Sequence, residues 1–98
     1  MKIPEKVKIG GTNYAVKYED RLNTGSNMAY GHIDYERALI RIEPNIQGEQ
    51  GKFKTLLHEI IHGITHHFDL KLDEDEDTID RLATGLHMVI VDNPDIFS

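Results

Sequence analysis

The sequence lacks cysteine and any long apolar run, and basic residues are scarce. Without cysteine there is no disulfide framework and no thiolate zinc site, and a reducing, cytoplasmic setting fits this absence. No segment approaches the ~20 apolar residues that a membrane-spanning helix requires, and the N-terminal residues lack a signal-peptide core. The 11 Lys and Arg against 17 Asp and Glu give a net charge of −6, which disfavours binding to nucleic-acid phosphates or to anionic lipids.

The chain has 98 residues, which is room for one domain with one modest hydrophobic core. Hydrophobic residues make up 39% and charged residues 29%, as in a folded globular protein rather than a disordered one. We therefore expect a single domain over residues 1–98. Histidine is unusually frequent: there are six, and four of them lie between positions 58 and 67.

The first half of the chain has the pattern of β-strands. Apolar and polar residues alternate on both sides of Gly10-Gly11, which predicts a hairpin, and alternate again over Met28–Tyr35 and over 38–42. The polar stretch 21–27 between these two pairs is typical of a turn. We therefore predict three or four antiparallel strands over about residues 5–42.

The second half has the pattern of two helices, over about residues 52–68 and 76–92, since apolar residues recur there at three- and four-residue spacings. Pro94 stops the second helix, and the acidic run 73–77 predicts a solvated turn before it. The predicted fold class is α+β, with a small antiparallel sheet followed by two helices. The expected buried stripe of the second helix consists of Ile79, Leu82, Ala83, Leu86 and Ile90.

One motif carries chemistry: His58, Glu59 and His62 form an HExxH pentad inside the first predicted helix. Residues four apart share a helix face, so both imidazoles can bind one metal ion, and Glu59 can reach a water on that ion without ligating it. About 0.03 such motifs are expected by chance in a chain of this composition. Two imidazoles suit Zn²⁺, although nickel, cobalt and manganese stay open.

The third ligand is expected to be acidic, because His66 lies about 12 Å of helix rise beyond His58 and cannot share its ion. On the second helix, Glu76 and Asp80 flank the predicted buried stripe, whereas Asp77 points to solvent. Glu76 is the favoured ligand. Asp80 is placed to accept a hydrogen bond from a metal-bound imidazole, and Asp80 or Asp77 stays open as the ligand instead.

Three segments together resemble the gluzincin-type zincin metallopeptidases: YGHIDYERALIRI, TLLHEIIHGI and DTIDRLATGLHMVIVDNP. More narrowly, they are similar to small zincin-like proteins of phages and prophages, which are related in layout to the ImmA/IrrE-type metallopeptidases. The resemblance covers about residues 28–94 and implies a minimal zincin-like domain, with zinc held by His58, His62 and Glu76 and with Asp80 steadying a histidine. Gly63 departs from the pattern, because glycine disfavours a helix by up to ~1 kcal/mol.

The leading hypothesis is a zinc-dependent metallopeptidase of the cytoplasm, or of the host cytoplasm if phage-encoded, with Glu59 moving the proton. An extended protein or peptide substrate is expected along the strand Tyr30–Tyr35. His32, Tyr30 and Tyr35 are candidate oxyanion donors, although a structural role is the favoured explanation for each. The alternative is a zincin-like interaction protein of phage origin that binds a host protein with little or no protease activity. The substrate and the oligomeric state stay open.

Overall fold

Four strands precede two helices in the computed structural model, which describes residues 2–23, 29–72 and 74–96. The elements are β1 (Lys6–Ile9), β2 (Thr12–Tyr18), β3 (Gly31–Asp34), β4 (Leu39–Ile42), α1 (Glu49–Phe68), α2 (Glu76–Asp92) and a 3₁₀ turn at Pro94–Ile96. The predicted α+β layout, with the sheet first and two helices after it, is confirmed. Most of the predicted turn 21–27, the predicted strand start at Met28, and Asp73 in the acidic run lie outside the described residues.

The sheet has the strand order β1-β2-β4-β3. The pairs β1–β2 and β3–β4 are antiparallel, but β2 and β4 run parallel, with Ala15 opposite Leu39. The sheet is therefore mixed, whereas the alternating pattern had predicted antiparallel strands alone. The chain passes from β2 to the sheet edge, forms β3 there and turns back, so β4 fills the space between β2 and β3. The alternation of apolar and polar residues shows which face of the sheet a side chain occupies. It does not show which strand lies next to it or in which direction that strand runs.

One face of the sheet is covered by α1 and carries the core. Its buried cluster consists of Ile9, Tyr14, Ile33, Ile40, Ile42 and Leu56. The helix passes close to the sheet at Gly63, where an added Cβ would lie 2.8 Å from Cδ1 of Ile9 and 3.3 Å from Cδ1 of Ile33. The glycine that helix propensity disfavours therefore lets α1 approach the strands.

Both helices have identifiable ends. α1 begins three residues before its predicted start, at Glu49, whose carboxylate accepts a hydrogen bond from Nζ of Lys52 at 2.7 Å. It ends where Asp69 takes the left-handed conformation with φ 53°. α2 spans the predicted residues and begins after Asp75, whose side chain accepts a hydrogen bond from the backbone N–H of Thr78 at 3.1 Å. Within the described ranges, neither helix has the combination of length and apolar character that crossing a membrane requires.

α2 packs against α1 and the 3₁₀ turn and, among the described residues, contacts no strand. Ile79 and Ala83 of the predicted stripe are buried, whereas Leu82 is 48% and Leu86 is 37% exposed. The expectation that the whole stripe would be buried is wrong. A single neighbouring helix covers a narrower part of α2 than a sheet would cover.

Candidate metal centre

The two histidines of the HExxH motif lie on the part of α1 that meets the start of α2. Their ring centroids are 5.0 Å apart. His62 is buried, with 8% of the residue exposed, and the side chain of His58 is 17% exposed. The apolar stripe of α1 is turned toward the sheet, so the two rings project from the flank of that stripe toward the second helix.

Glu76, the first residue of α2, brings its carboxylate to both rings. Its Oε2 lies 3.0 Å from Nε2 of His58, and its Oε1 lies 2.6 Å from Nε2 of His62. One ligand atom from each of the three residues lies within 4.8 Å of the others. The structure therefore contains a group of two imidazoles and one carboxylate at metal-binding distance, with ligands from both helices.

The other two acidic candidates occupy different positions. Oδ1 of Asp80 lies 3.4 Å from Nδ1 of His58, the ring nitrogen opposite the one that faces Glu76. Asp77 instead pairs with Arg81 at 3.3 Å, and both side chains are at least three-quarters exposed. Of the three acids, Glu76 alone contacts both histidines, and Asp80 is placed to orient the His58 ring.

Glu59 lines the same cleft as the metal-binding group. The residue is 7% exposed. An added Cβ at Gly31 would lie 3.3 Å from Oε2 of Glu59, so β3 passes directly over this carboxylate. The buried carboxylate thus lies below the strand edge, in the cleft that His58, His62 and Glu76 also line.

The donor set fits a divalent transition metal. Zn²⁺ binds imidazole nitrogen and carboxylate oxygen at about 2.0–2.2 Å, and tetrahedral geometry then separates neighbouring ligand atoms by about 3.4 Å. The observed nitrogen–oxygen separations, 3.0 Å to Oε2 and 2.6 Å to Oε1 of Glu76, are shorter than this, so the carboxylate would have to move outward around an ion. The side chain of Glu76 is 67% exposed and has room to do so. Three protein ligands leave a tetrahedral position open. The same donors also accept other divalent metals, so the geometry defines a metal-binding group and leaves the choice of ion open.

The group opens into a cleft of about 860 Å³ between β3 and the first turn of α2. On the β3 side, the backbone N–H of Glu43 donates to the carbonyl of Tyr30 at 2.9 Å. Hydrogen-bonded pairs alternate along antiparallel strands, so Gly31 and Ile33 direct their N–H and C=O groups away from β4. The cleft is therefore bordered by an unpaired strand edge within the described residues.

The ring of His32 is held by the sheet rather than by the metal-binding group. Ile33 is buried against α1 and Gly31 faces Thr55, so the pleat turns the intervening His32 toward the opposite face. There Nη2 of Arg41 donates to Nδ1 of His32 at 3.0 Å. Burial, and then the charge of Arg41, lower the pKa of His32 below its usual 6.5.

The two tyrosine candidates for an oxyanion donor lie at the cleft. The hydroxyl of Tyr35 donates to the backbone carbonyl of His62 at 3.1 Å, and its ring stacks on His66 with centroids 3.8 Å apart. Tyr30 is 59% exposed. Tyr35 therefore supports α1 next to a metal-site histidine, whereas Tyr30 is open to solvent.

Sequence reasoning missed the role of His67 in packing. Its Nε2 lies 2.7 Å from the hydroxyl oxygen of the buried Tyr14, and an added Cβ at Gly10 would meet the ring at 2.7 Å. The sequence did contain a signal for this role. Nine residues of α-helix rotate His67 by about 180° from His58, which places it on the side of the helix that carries Leu56. His66 is exposed, and its ring is stacked on that of Tyr35.

No protein-family profile, curated protein or solved structure matches this chain.

Proposed function

We propose that the protein is a zinc-dependent metallopeptidase. The observation that carries this proposal is the convergence of His58, His62 and Glu76, with one ligand atom each, beside the buried carboxylate of Glu59. The three ligands come from two helices that the chain has to bring together, and they leave one coordination position open. An open position next to a carboxylate is the arrangement that hydrolysis requires, whereas a purely structural zinc site is closed.

The residues of the chain have distinct roles in this proposal. A zinc ion held by the three ligands would acidify a water molecule and polarise a substrate carbonyl. Glu59 accepts the proton of that water on its carboxylate and later donates it to the leaving amine. Asp80, whose Oδ1 lies 3.4 Å from Nδ1 of His58, would accept a hydrogen bond from Nδ1–H of that ring and so keep Nε2 directed toward Glu76.

The unpaired edge of β3 supports an extended peptide as the substrate. The N–H and C=O groups of Gly31 and Ile33 are available to pair with a peptide backbone in the manner of an added strand. Such a peptide would pass over Glu59, because Gly31 lies directly above that carboxylate. Backbone pairing fixes the position of the scissile bond without requiring a particular side chain.

A second candidate function is metal-dependent binding of a partner protein without turnover. The exposure of the Glu76 side chain, at 67%, favours it, because a solvated carboxylate ligand gives a less enclosed reaction centre. The cleft lies along α1 and is flanked by β3 and by the first turn of α2, and these short flanking elements limit the exclusion of water. The two functions predict different behaviour of a Glu59 variant.

The metal is tested by elemental analysis of purified protein after incubation with zinc and removal of the excess. We expect about one equivalent of zinc in the wild type and large losses in His58→Ala and Glu76→Ala. Asp77→Ala is the matched control, since Asp77 is adjacent in sequence but pairs with Arg81 instead of the histidines. A wild type without zinc, or full occupancy in Glu76→Ala, would overturn the assignment.

Catalysis is tested with quenched fluorescent peptide pools and the isosteric variant Glu59→Gln. We expect the variant to keep its zinc and to lose cleavage by about 10²–10⁴-fold, since it removes the general base. A zinc-loaded wild type that cleaves no pool and captures a partner equally well with Glu59→Gln would favour the binding function instead.

A further inference from the structure

The second half of α2 is apolar on almost every side although one side alone is packed. Over residues 86–91 the sequence is LHMVIV, and this segment meets α1 through His87, whose ring lies 5.8 Å from that of Phe53. The exposed fractions are 48% for Leu82, 37% for Leu86, 58% for Met88, 46% for Val89 and 44% for Val91. A helix that is apolar all round is normally buried.

The face of α2 turned away from α1 has a glycine at its centre. With the buried Ala83 marking the α1 side, Leu82, Gly85, Met88 and Val89 fall within an arc of about 120° on the opposite side. An added Cβ at Gly85 would meet nothing within 4 Å, so packing inside the chain gives no reason for glycine. Glycine is an unfavourable residue inside a helix, but it allows a second helix to approach closely.

Charges of opposite sign lie at the two ends of this outward face. The Arg81 side chain is 80% exposed, although it pairs with Asp77 of its own helix at 3.3 Å, and Asp92 is exposed one turn beyond Met88. Along the helix axis, the midpoint between Arg81 and Asp92 coincides with the midpoint between Gly85 and Met88. Both midpoints fall between Leu86 and His87. A single two-fold axis at that midpoint therefore places each residue opposite its complement on an antiparallel copy of the helix.

We propose that the outward face of α2, formed by residues 81, 82, 85, 88, 89 and 92, binds a second copy of this chain in an antiparallel, two-fold contact. Met88 of each copy lies over Gly85 of the other, and Arg81 of each reaches Asp92 of the other. Leu82 and Val89 flank the crossing and lose contact with water. We assign this face to a second copy because each group on it meets a complementary group on the same face of the other copy. Binding of an unrelated partner would not require this match between residues of one face.

The area of the face sets the expected strength of this dimer. The three apolar side chains of this face, Leu82, Met88 and Val89, present on the order of 300 Å², well under half of the ~800 Å² that each partner contributes to a standard interface. The contact is therefore weak, with a dissociation constant in the micromolar range. It requires no metal and is independent of the proposed peptidase function.

Sedimentation equilibrium of the whole chain over about 1–300 μM tests the proposal, in a range that brackets micromolar affinity. We expect a reversible monomer–dimer equilibrium in the wild type and at least tenfold weaker association of Gly85→Gln. Glutamine favours the helix and enters open space, so the monomer keeps its fold, which far-ultraviolet circular dichroism verifies. A wild type that stays monomeric throughout, or a Gly85→Gln variant that dimerises normally, would overturn the proposal.

A charge exchange tests the antiparallel register. Arg81→Asp and Asp92→Arg should each weaken association, and the double variant should recover most of it because the opposed pair is restored with its signs exchanged. Arg37→Asp, on the turn before β4, carries the same change of charge away from α2 and should have no effect. Loss of association in the single variants without recovery in the double variant would contradict this register.

Discussion

Replacing Gly31 by alanine would force a methyl group into α1 at the point where β3 passes over the metal-binding group. An added Cβ at Gly31 would lie 2.5 Å from Cγ2 of Thr55 and 3.3 Å from Oε2 of Glu59. The methyl group of Thr55 belongs to a β-branched side chain on a helix, which has little rotational freedom. The strand and the helix would therefore have to move apart.

The expected size of the effect follows from two opposed contributions. Inserting a methyl group into a packed contact costs about 1–3 kcal/mol, while alanine in place of glycine restricts the unfolded chain and stabilises by about 0.4–1 kcal/mol. The net result is a loss of about 1–2 kcal/mol in the free energy of unfolding, with the unfavourable term larger. For a domain of this size the melting temperature should fall by about 5–15 °C.

A partner substitution makes this test specific. Thr55→Ser removes Cγ2 but keeps the hydroxyl that donates to Oε1 of Gln47 at 2.7 Å. Urea unfolding of Gly31→Ala, Thr55→Ser and the double variant should show a favourable coupling of about 1 kcal/mol, because serine makes room for the new methyl group. If Gly31→Ala is as stable as the wild type, or if Thr55→Ser gives no coupling, the close packing of β3 on α1 inferred here is wrong.

Three further predictions concern hydrogen bonds and titrating groups. Tyr14→Phe should cost about 1 kcal/mol in urea unfolding, since it removes the bond to Nε2 of His67; an unchanged midpoint would contradict this. Because the pKa of His32 is lower in the folded chain than in the unfolded chain, the unfolded chain binds more protons at about pH 6. The free energy of unfolding should therefore decrease as the pH drops below about 6.5. His32→Asn should flatten this dependence in unfolding titrations; an unchanged slope would contradict it. Hydrogen bonds from the side chain and backbone of Thr78 lower the pKa of Asp75 below 3.8, so its helix cap should persist above about pH 4 and be lost on further acidification. Asp75→Ala should therefore show reduced helicity by circular dichroism at neutral pH, and equal helicity would count against the cap.

The helices and the metal-binding motif were accessible from the sequence because both depend on local spacing. The 3.6-residue period that predicts α1 also determines that His58 and His62 share a face. The same geometry placed Glu76 and Asp80 on one flank of α2 and Asp77 on another, as the structure has them. Predictions of this kind need only the rotation per residue and the direction of the buried face.

Features that depend on distant contacts were not accessible. The parallel pairing of Ala15 with Leu39 follows from the path between β2 and β3, which side-chain alternation does not encode. The exposure of Leu82 and Val89 follows from α2 having one helix as its neighbour, whereas the sequence pattern resembles that of a helix packed on a sheet. No local pattern indicated that residue 31 has to be glycine. That requirement arises from the close contact with Thr55, which is 24 positions away in the chain.

The support of α2 links the proposed metal site to the proposed dimer. α2 carries Glu76, yet within the described residues it is attached to the rest of the fold through α1 and the 3₁₀ turn. A cation shared by His58, His62 and Glu76 would join the two helices, and at 100 times its dissociation constant it would add about 2.7 kcal/mol to stability. That is a large fraction of the total of about 5–15 kcal/mol typical of a domain. A second copy on the outward face would restrain the same helix from the opposite side. Metal binding and self-association would therefore stabilise the same sparsely supported helix independently, the first through Glu76 and the second through the outward face.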